Sequence, residues 1–362
     1  MSEKIKLFSE LSREAFVELR KFQTQERKLL RTGYDGIDRH IGGLLPSNLL
    51  LLASGSGVGK TYTYQQMFTN FLDTELNPEA QDFVTLEYQL EMRALDLIIR
   101  EVHNITHKKK RDILTQEFSE EERKEVALYY ESIQDDRRHI VEESVTTAEF
   151  FSITDKFCSE HTDKKAVIIG IDHLLLILAA ERGEDPLAKI AEYTNILRKK
   201  YPNVYFVYLS QLNRMNYSNI QERSNAMVPT VASIYGSSHF EFLSAYVVIM
   251  MNPFKMGVLE YMKVQEERYP ELQKYMTPPN EKGYVSFNTA GCVFYFLVKT
   301  RESDVPYDNL WIEEMYISEE QKERLKMDSE ARRPESKQVQ FEMPVFNTQS
   351  ELPMFNPKDD IF

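Results

Sequence analysis

The stretch that most constrains the fold of this chain is Leu49–Thr61, which reads LLLLASGSGVGKT. A run of apolar residues passes directly into a glycine-rich turn, and the turn ends in a lysine and a threonine. This order predicts a buried strand, a loop whose backbone N–H groups surround phosphate oxygens, and a helix whose N-terminus points at the phosphate. The stretch therefore predicts a nucleotide-binding loop (P-loop) in an α/β fold.

The phosphate-binding pattern G-x-x-x-x-G-K-[ST] is complete except at its first position, where Ser54 replaces glycine. The first glycine mainly eases the turn from strand to loop, so a serine with a negative φ serves there. The Lys60 amine is expected to contact the β- and γ-phosphates of ATP, and the Thr61 hydroxyl is expected to bind Mg²⁺. The predicted ATP-binding residues of the loop are Ser56, Gly57, Val58, Gly59, Lys60 and Thr61.

Apolar runs alternate with helix-like segments between about Arg31 and Ser318. The predicted strands are Leu49–Ala53, Phe83–Leu90, Ala166–Ile171, Val204–Ser210, Ala245–Met251 and Val293–Val298. The predicted helices are Thr61–Leu72, Met92–His103, Ser119–Ile133, Thr147–Glu160 and Asp185–Lys200. Alternating strands and helices imply parallel βαβ units, so we expect a twisted, mostly parallel sheet with helices on both faces.

Composition divides the rest of the chain. Residues 1–30 have apolar residues at helical spacing and predict an N-terminal linker helix, and residues 31–318 predict the ATPase domain. Residues 253–290 form an insertion rich in proline, tyrosine and charge. Residues 319–337 predict a charged helix or linker, and residues 338–362 predict a disordered tail.

A Mg²⁺ ion at the loop needs a further ligand, and the run Val167–Asp172, VIIGID, ends in one. An aspartate at the C-terminal end of a strand beside a P-loop holds the metal, so Asp172 is the expected partner of Thr61. His173 follows it, and we interpret that histidine as a half-buried loop residue.

Other polar residues follow the remaining strands. A general base for water is expected at Glu87 or Glu91, which the pattern alone does not separate. Gln211 ends the fourth run and is placed to sense the γ-phosphate. Lys299 and Arg301 end the sixth run, and their charges serve either their own P-loop or, as arginine fingers, that of a neighbour.

Charge and cysteine content limit the class of protein. The net charge of −13 argues against a nucleic acid wrapped over the whole surface, although it permits a basic channel in an assembly. Two cysteines are too few for a disulfide framework, which favours a reduced setting. The N-terminus has no signal-peptide pattern, and the longest apolar run, Ala166–Ala180, is too short for a bilayer. We expect a cytoplasmic protein without membrane contact.

With these motifs in order, residues 31–304 resemble the ATPase domain of DnaB-type hexameric replicative helicases, which have a RecA-like fold. Thr32-Gly33, Ile37-Asp38 and Gly42-Gly43-Leu44 resemble the start of such domains, "TG…LD…GGL". Leu90-Glu91-Met92 with Arg100 resembles "LEM…R", Ser210–Arg214 matches "SQLNR", and Lys299-x-Arg301 resembles the K-x-R motif.

The resemblance implies a homo-hexamer that hydrolyses ATP between subunits, moves 5′→3′ on single-stranded DNA and unwinds a fork. It favours Glu91 over Glu87 as the base and implies that Lys299 and Arg301 reach the adjacent subunit's nucleotide. The family's DNA loop, similar to "LRESGxIEQDAD", is altered here to Ser233–Phe242, without its arginine, and Leu175 replaces a usual glutamine. The expected DNA contacts are Arg214, Gly236, Ser237 and Ser238.

We expect a compact member that lacks the N-terminal collar and primase domains, which suits a bacteriophage and places it in the host cytoplasm. Two other functions fit the same residues. One is a RecA-like, DNA-stimulated ATPase without unwinding activity, such as a recombinase or a loader. The other is a scaffold ATPase that recruits a clamp or polymerase.

The tail contains a tandem repeat, QFEMPVFNT followed by QSELPMFNP, with seven of nine positions alike. Each copy has the pattern Q-x-x-Φ-x-x-F and resembles a sliding-clamp-binding peptide, while the end DDIF resembles the tip of single-stranded-DNA-binding proteins. Two linked copies raise avidity, so we expect a tail that recruits a clamp, polymerase, primase or loader. The predicted contact residues are Gln340, Met343, Phe346, Gln349, Leu352, Phe355 and Phe362.

Overall fold

The computed structural model describes residues 7–213, 228–301, 305 and 309–314. The strands are β1 Leu49–Ser54, β2 Phe83–Gln89, β3 Arg138–Val141, β4 Ala166–Asp172, β5 Val204–Gln211, β6 Tyr246–Met251, β7 Glu260–Gln265, β8 Tyr284–Asn288, β9 Cys292–Thr300 and β10 Leu310–Glu314. The α-helices are α1 Phe8–Gln23, α2 Asp35–Ile41, α3 Lys60–Phe71, α4 Ala94–Thr106, α5 Lys110–Thr115, α6 Glu120–Ser132, α7 Thr147–Glu160, α8 Pro186–Lys200 and α9 Ser237–Glu241.

The main sheet has eight strands in the order β10-β9-β6-β1-β5-β4-β2-β3. The strands from β6 to β3 pair in parallel, and β1 lies between β5 and β6. Every residue of β1, β2 and β4 is buried, as both faces of a parallel sheet require. The predicted mostly parallel α/β sheet is confirmed.

The two faces of β1 belong to two apolar cores. Leu49 and Leu51 point to the core that holds Phe150 and Ile190 of α7 and α8. Leu50 and Leu52 point to the core formed with α3, where Phe68 and Phe71 are fully buried. Because α3 is packed along the sheet in this way, its N-terminus is fixed at the end of β1.

Two strands at one side of the sheet break the parallel order. β9 pairs antiparallel with β6, and β10 pairs antiparallel with β9. The chain reaches β9 through the two-stranded β7–β8 sheet inside residues 253–290 rather than through a crossover helix, so β9 enters from the opposite edge. The start of β9 therefore lies beside the end of β6, and the end of β9 lies beside the start of β6.

The N-terminal helix α1 contributes no buried residue. Its apolar side chains remain open to solvent, with Phe8 83% and Phe16 72% exposed. Over the described ranges, no helix combines the length and the apolarity needed to cross a membrane.

Candidate nucleotide-binding and catalytic site

Four strand ends meet at one edge of the main sheet. The register pairs Ser54 of β1 with Gln211 of β5, and Gln89 of β2 with Asp172 of β4. Ligands of open α/β sheets bind at this carboxyl edge. The sequence-predicted residues after β1, β2, β4 and β5 are thereby brought together.

The loop between β1 and α3 has the backbone shape of a phosphate cradle. Gly57 has φ 73° and Gly59 has φ 115°, which a side chain would strain, and a Cβ at Gly57 would meet no atom within 4 Å. The open space above the loop fits a phosphate group. Ser54 is the buried last residue of β1 and is not among the positive-φ residues, so the missing glycine costs no strain.

The loop lysine is buried and already hydrogen-bonded. Lys60 is 8% exposed, and its Nζ donates to the Ser210 carbonyl oxygen at 2.9 Å. Burial lowers the pKa of Lys60, while the charges of Asp172 and Glu91 oppose the shift. The carboxylates of Asp172 and Glu91 act on this desolvated amine only through space, so a bound phosphate would give it a direct anionic partner.

Asp172 and Thr61 form a pair that fits Mg²⁺. Burial raises the pKa of Asp172 to about 6, and a hydrogen bond from Thr61 and the charge of Lys60 act against that rise. Within the described residues, the buried Oδ1 of Asp172 has no hydrogen-bond partner. An unpaired carboxylate oxygen beside a threonine hydroxyl is the donor set that Mg²⁺ takes up together with substrate phosphates.

The two candidate bases occupy different environments. Glu87 is fully buried, and its Oε1 and Oε2 accept hydrogen bonds from Arg138 Nε and Nη2 at 2.6 and 3.0 Å. Glu91 follows the end of β2, where Leu90 N donates to Asp172 O, and its side chain is 48% exposed. Only Glu91 therefore faces the open edge beside Asp172.

His173 joins the site, which the sequence pattern did not indicate. It is 5% exposed, its Nε2 lies 3.1 Å from Gln211 Nε2, and the same atom lies 3.9 Å from Glu91 Oε2. Burial, assisted by the charge of Lys60, lowers the pKa of His173 to about 4. The ring is therefore neutral at physiological pH and stands between the candidate base and the candidate sensor.

The end of β5 is hydrogen-bonded directly to the loop that is predicted from the sequence to contact DNA. Tyr235 N donates to Gln211 O, and Asn213 N donates to Ser233 O, both at 2.8 Å. The next residue, Gly236, has φ 65° and precedes α9. One hydrogen bond and one residue of backbone therefore separate Gln211 from Gly236.

Lys299 and Arg301 lie away from this site. In the antiparallel register, Lys299 pairs with Val247 and Thr300 with Tyr246, at the start of β6. Arg301 Nη2 donates to the carbonyl oxygens of Phe242 and Leu243 at 2.7 and 3.2 Å. The pair thus lies toward the edge opposite the P-loop of its own chain: Ser54, where the loop begins, pairs with Met250, three residues beyond the partner of Lys299, a separation of roughly 10 Å along the strand.

A lysine of the insertion contacts the P-loop. Lys255 Nζ donates to the Gly57 carbonyl oxygen at 2.5 Å, and Lys255 N donates to Asn252 Oδ1 at 3.1 Å. No sequence pattern indicates this contact, because 198 residues separate the two partners. Arg214 and the predicted tail contacts, from Gln340 to Phe362, lie outside the described residues.

Comparison with known sequences identifies one family. The sequence model of the DnaB-like helicase C terminal domain matches residues 30–272. Among curated proteins, the chain is 23% identical over 189 residues to the replicative DNA helicase DnaB of Buchnera aphidicola subsp. Baizongia pistaciae (strain Bp), covering 51% of this chain and 39% of that protein. The chain therefore spans less than half the length of this curated relative.

Solved structures agree on the fold. A solved ATPase domain superposes with a TM-score of 0.59 at 17% identity, over 84% of this chain and 98% of that one. A DnaB-like replicative helicase, solved in a study of its interactions with primase, gives a TM-score of 0.56 at 18% identity, over 84% of this chain and 64% of that one. These matches show a RecA-like ATPase fold.

Proposed function

We propose that the chain, which belongs to the family of DnaB-like helicase C-terminal domains, is the ATP-driven motor of a ring-forming replicative DNA helicase. In this proposal it moves along single-stranded DNA, 5′→3′, and unwinds duplex DNA at a replication fork. The name of its curated relative supports this assignment. The residues of the site supply the parts that the reaction needs.

The P-loop holds the substrate. Backbone N–H groups from Ser56 to Lys60 and the Lys60 amine bind the phosphates of ATP, and burial keeps the amine from competing water. Mg²⁺, held through Thr61 and Asp172, would neutralise charge on the phosphate oxygens. Glu91 accepts a proton from the attacking water, since its exposed carboxylate is the one at the open edge.

Lys299 and Arg301 act on the nucleotide of an adjacent protomer. Because they lie far from their own P-loop, their positive charges would contribute by stabilising negative charge on the nucleotide of the neighbouring protomer. In this proposal the protomers form a homo-hexamer with ATP at its subunit interfaces, as the family resemblance implies. The exposed apolar side of α1 supplies a second contact between protomers.

The observation that carries the motor proposal is the backbone link between Gln211 and the Gly236 loop. Gln211 pairs with Ser54 at the start of the P-loop, and its carbonyl oxygen accepts from Tyr235 N, one residue before Gly236. The γ-phosphate state sensed at Gln211 would move backbone N–H groups at Gly236, Ser237 and Ser238 that contact DNA phosphates.

The test measures ATPase activity with and without single-stranded DNA, and unwinding of a forked duplex, for the wild type and Lys60→Ala. We expect DNA-stimulated ATPase and unwinding, with both lost in the variant. ATPase stimulation by DNA without unwinding would assign the chain to the recombinase or loader class. An ATPase rate that DNA does not change would refute the helicase proposal. Native mass measurement with a non-hydrolysable ATP analogue should show a hexamer.

The tail extends the proposal to a partner. The repeats at Gln340–Phe346 and Gln349–Phe355 would recruit a sliding clamp, polymerase, primase or loader to the motor. ATP, Mg²⁺ and unpaired cysteines suit the cytoplasm, that of a bacterial host if the chain is viral.

A further inference from the structure

The topology places His173 between the two groups that the reaction must coordinate. β4 lies between β5 and β2 in the sheet, so the residue after β4 is flanked by Gln211 at the end of β5 and by Glu91 after β2. The ring is buried, so it has little freedom to turn elsewhere. His173 thus has the position of a connector between sensor and base.

One ring atom faces both partners. His173 Nε2 lies 3.1 Å from Gln211 Nε2, which is hydrogen-bond distance, and 3.9 Å from Glu91 Oε2, which is just beyond it. The amide nitrogen and oxygen of a glutamine exchange places by a half turn, so a protonated Nε2 is able to donate to Gln211 Oε1. A single N–H serves one of these two acceptors at a time.

Resting on the proposed ATPase function, we propose that His173 is a positioning residue whose Nε2–H is exchanged between Gln211 and Glu91. Without nucleotide, the N–H holds the Gln211 amide. When Gln211 turns to the γ-phosphate, the N–H is released to the Glu91 carboxylate and fixes it for proton transfer from water. The base is thereby oriented only when the sensor is engaged.

The tests are His173→Phe, which keeps the ring and removes its nitrogens, and His173→Gln, whose amide reaches the position of Nε2. We expect His173→Phe to lower kcat of basal ATPase by about 10- to 100-fold, the effect of losing a hydrogen bond to a charged group. KM for ATP should change less than about threefold, because the phosphate-binding residues are untouched. His173→Gln should recover kcat to within about fivefold of the wild type.

His139→Phe is the matched control, because His139 is a half-buried histidine on the outermost strand β3 and packs against Phe157. Its kcat should equal that of the wild type. A second prediction concerns coupling: once Glu91→Gln is present, adding His173→Phe should cost less than it does alone, since His173 acts through Glu91.

Several outcomes would overturn the proposal. They are a wild-type kcat in His173→Phe, an additive double variant, or a His173→Gln variant as impaired as the phenylalanine one. If His173→Phe fails to bind a fluorescent ATP analogue, its kcat is not used, and the kcat of His173→Gln alone tests the proposal. Basal ATPase is the readout throughout, so absence of DNA stimulation counts against the helicase proposal and leaves this one standing.

Discussion

Replacing Glu87 and Glu91 in turn by glutamine distinguishes a carboxylate that stabilises the fold from one that takes part in catalysis. Glu87 is fully buried and accepts two hydrogen bonds from Arg138, whose side chain is 15% exposed. Removing one member of a buried ion pair typically costs about 3–5 kcal/mol, because the other charge remains desolvated. Glutamine keeps one acceptor oxygen, so we expect Glu87→Gln to lower the free energy of unfolding by about 3 kcal/mol.

Glu91→Gln should give the reverse result. The side chain is 48% exposed and its nearest ionisable partner is 3.9 Å away, so the loss of its charge should change stability by less than about 0.5 kcal/mol. Loss of the general base should lower kcat by about 10²- to 10⁴-fold with ATP binding retained.

Urea unfolding and steady-state ATPase at a temperature well below melting measure the two effects. The assignment is refuted if Glu91→Gln turns over ATP at the wild-type rate. It is refuted equally if folded Glu87→Gln binds ATP and does not hydrolyse it.

Three further predictions concern the metal site, the DNA loop and the tail. The pKa of Asp172 is raised to about 6 from an unfolded value of 3.8, so the folded state binds the proton more tightly and the metal-free protein loses stability as pH rises from about 4 to 7. Asp172→Asn should remove that slope and add up to about 3 kcal/mol at pH 7.5, measured by urea unfolding with EDTA; an unchanged slope would disprove the assignment. Gly236→Ala places a Cβ 2.4 Å from Leu187 Cδ1 at φ 65°, whereas Gly183→Ala, at φ 87°, meets no atom within 4 Å. Fluorescence anisotropy with single-stranded DNA and a non-hydrolysable ATP analogue should show affinity reduced about 5- to 20-fold in the first variant only, and equal effects in both would argue against the loop. Deleting residues 338–362 should leave ATPase unchanged and abolish binding of a purified sliding clamp or other replication partner in a pull-down; a loss of ATPase would indicate a structural tail instead.

Much of the nucleotide edge follows from short-range sequence patterns. The run ending at Ser54, the glycines of the loop and the run ending at Asp172 are contiguous signals, and the corresponding strands differ from the predicted bounds by only a residue. Such signals are local because a buried parallel strand needs a continuous apolar run and a cradle needs adjacent N–H groups.

The remaining contacts depend on tertiary structure. Lys255 reaches Gly57 because β6 lies parallel beside β1, so that both segments leave the sheet at the same edge, and no periodicity encodes that neighbourhood. The position of His173 between Gln211 and Glu91 depends on β4 lying between β5 and β2, which is a property of strand order. The position of Arg301 depends on the direction of β9, since K-x-R has the same spacing in a parallel or an antiparallel strand.

The direction of β9 also constrains how protomers would associate in the proposed assembly. Because Arg301 and the P-loop of one chain lie at opposite edges of its sheet, the proposed contact in trans would join two different surfaces, and such an assembly would be head-to-tail rather than two-fold symmetric. An open row of n protomers then completes n−1 nucleotide sites, and closing the row into a ring completes the last one without any new kind of contact. Two inactive proteins, Lys60→Ala and Arg301→Ala, would therefore rebuild an intact site when mixed, at each junction where the first donates its arginine to the second's P-loop.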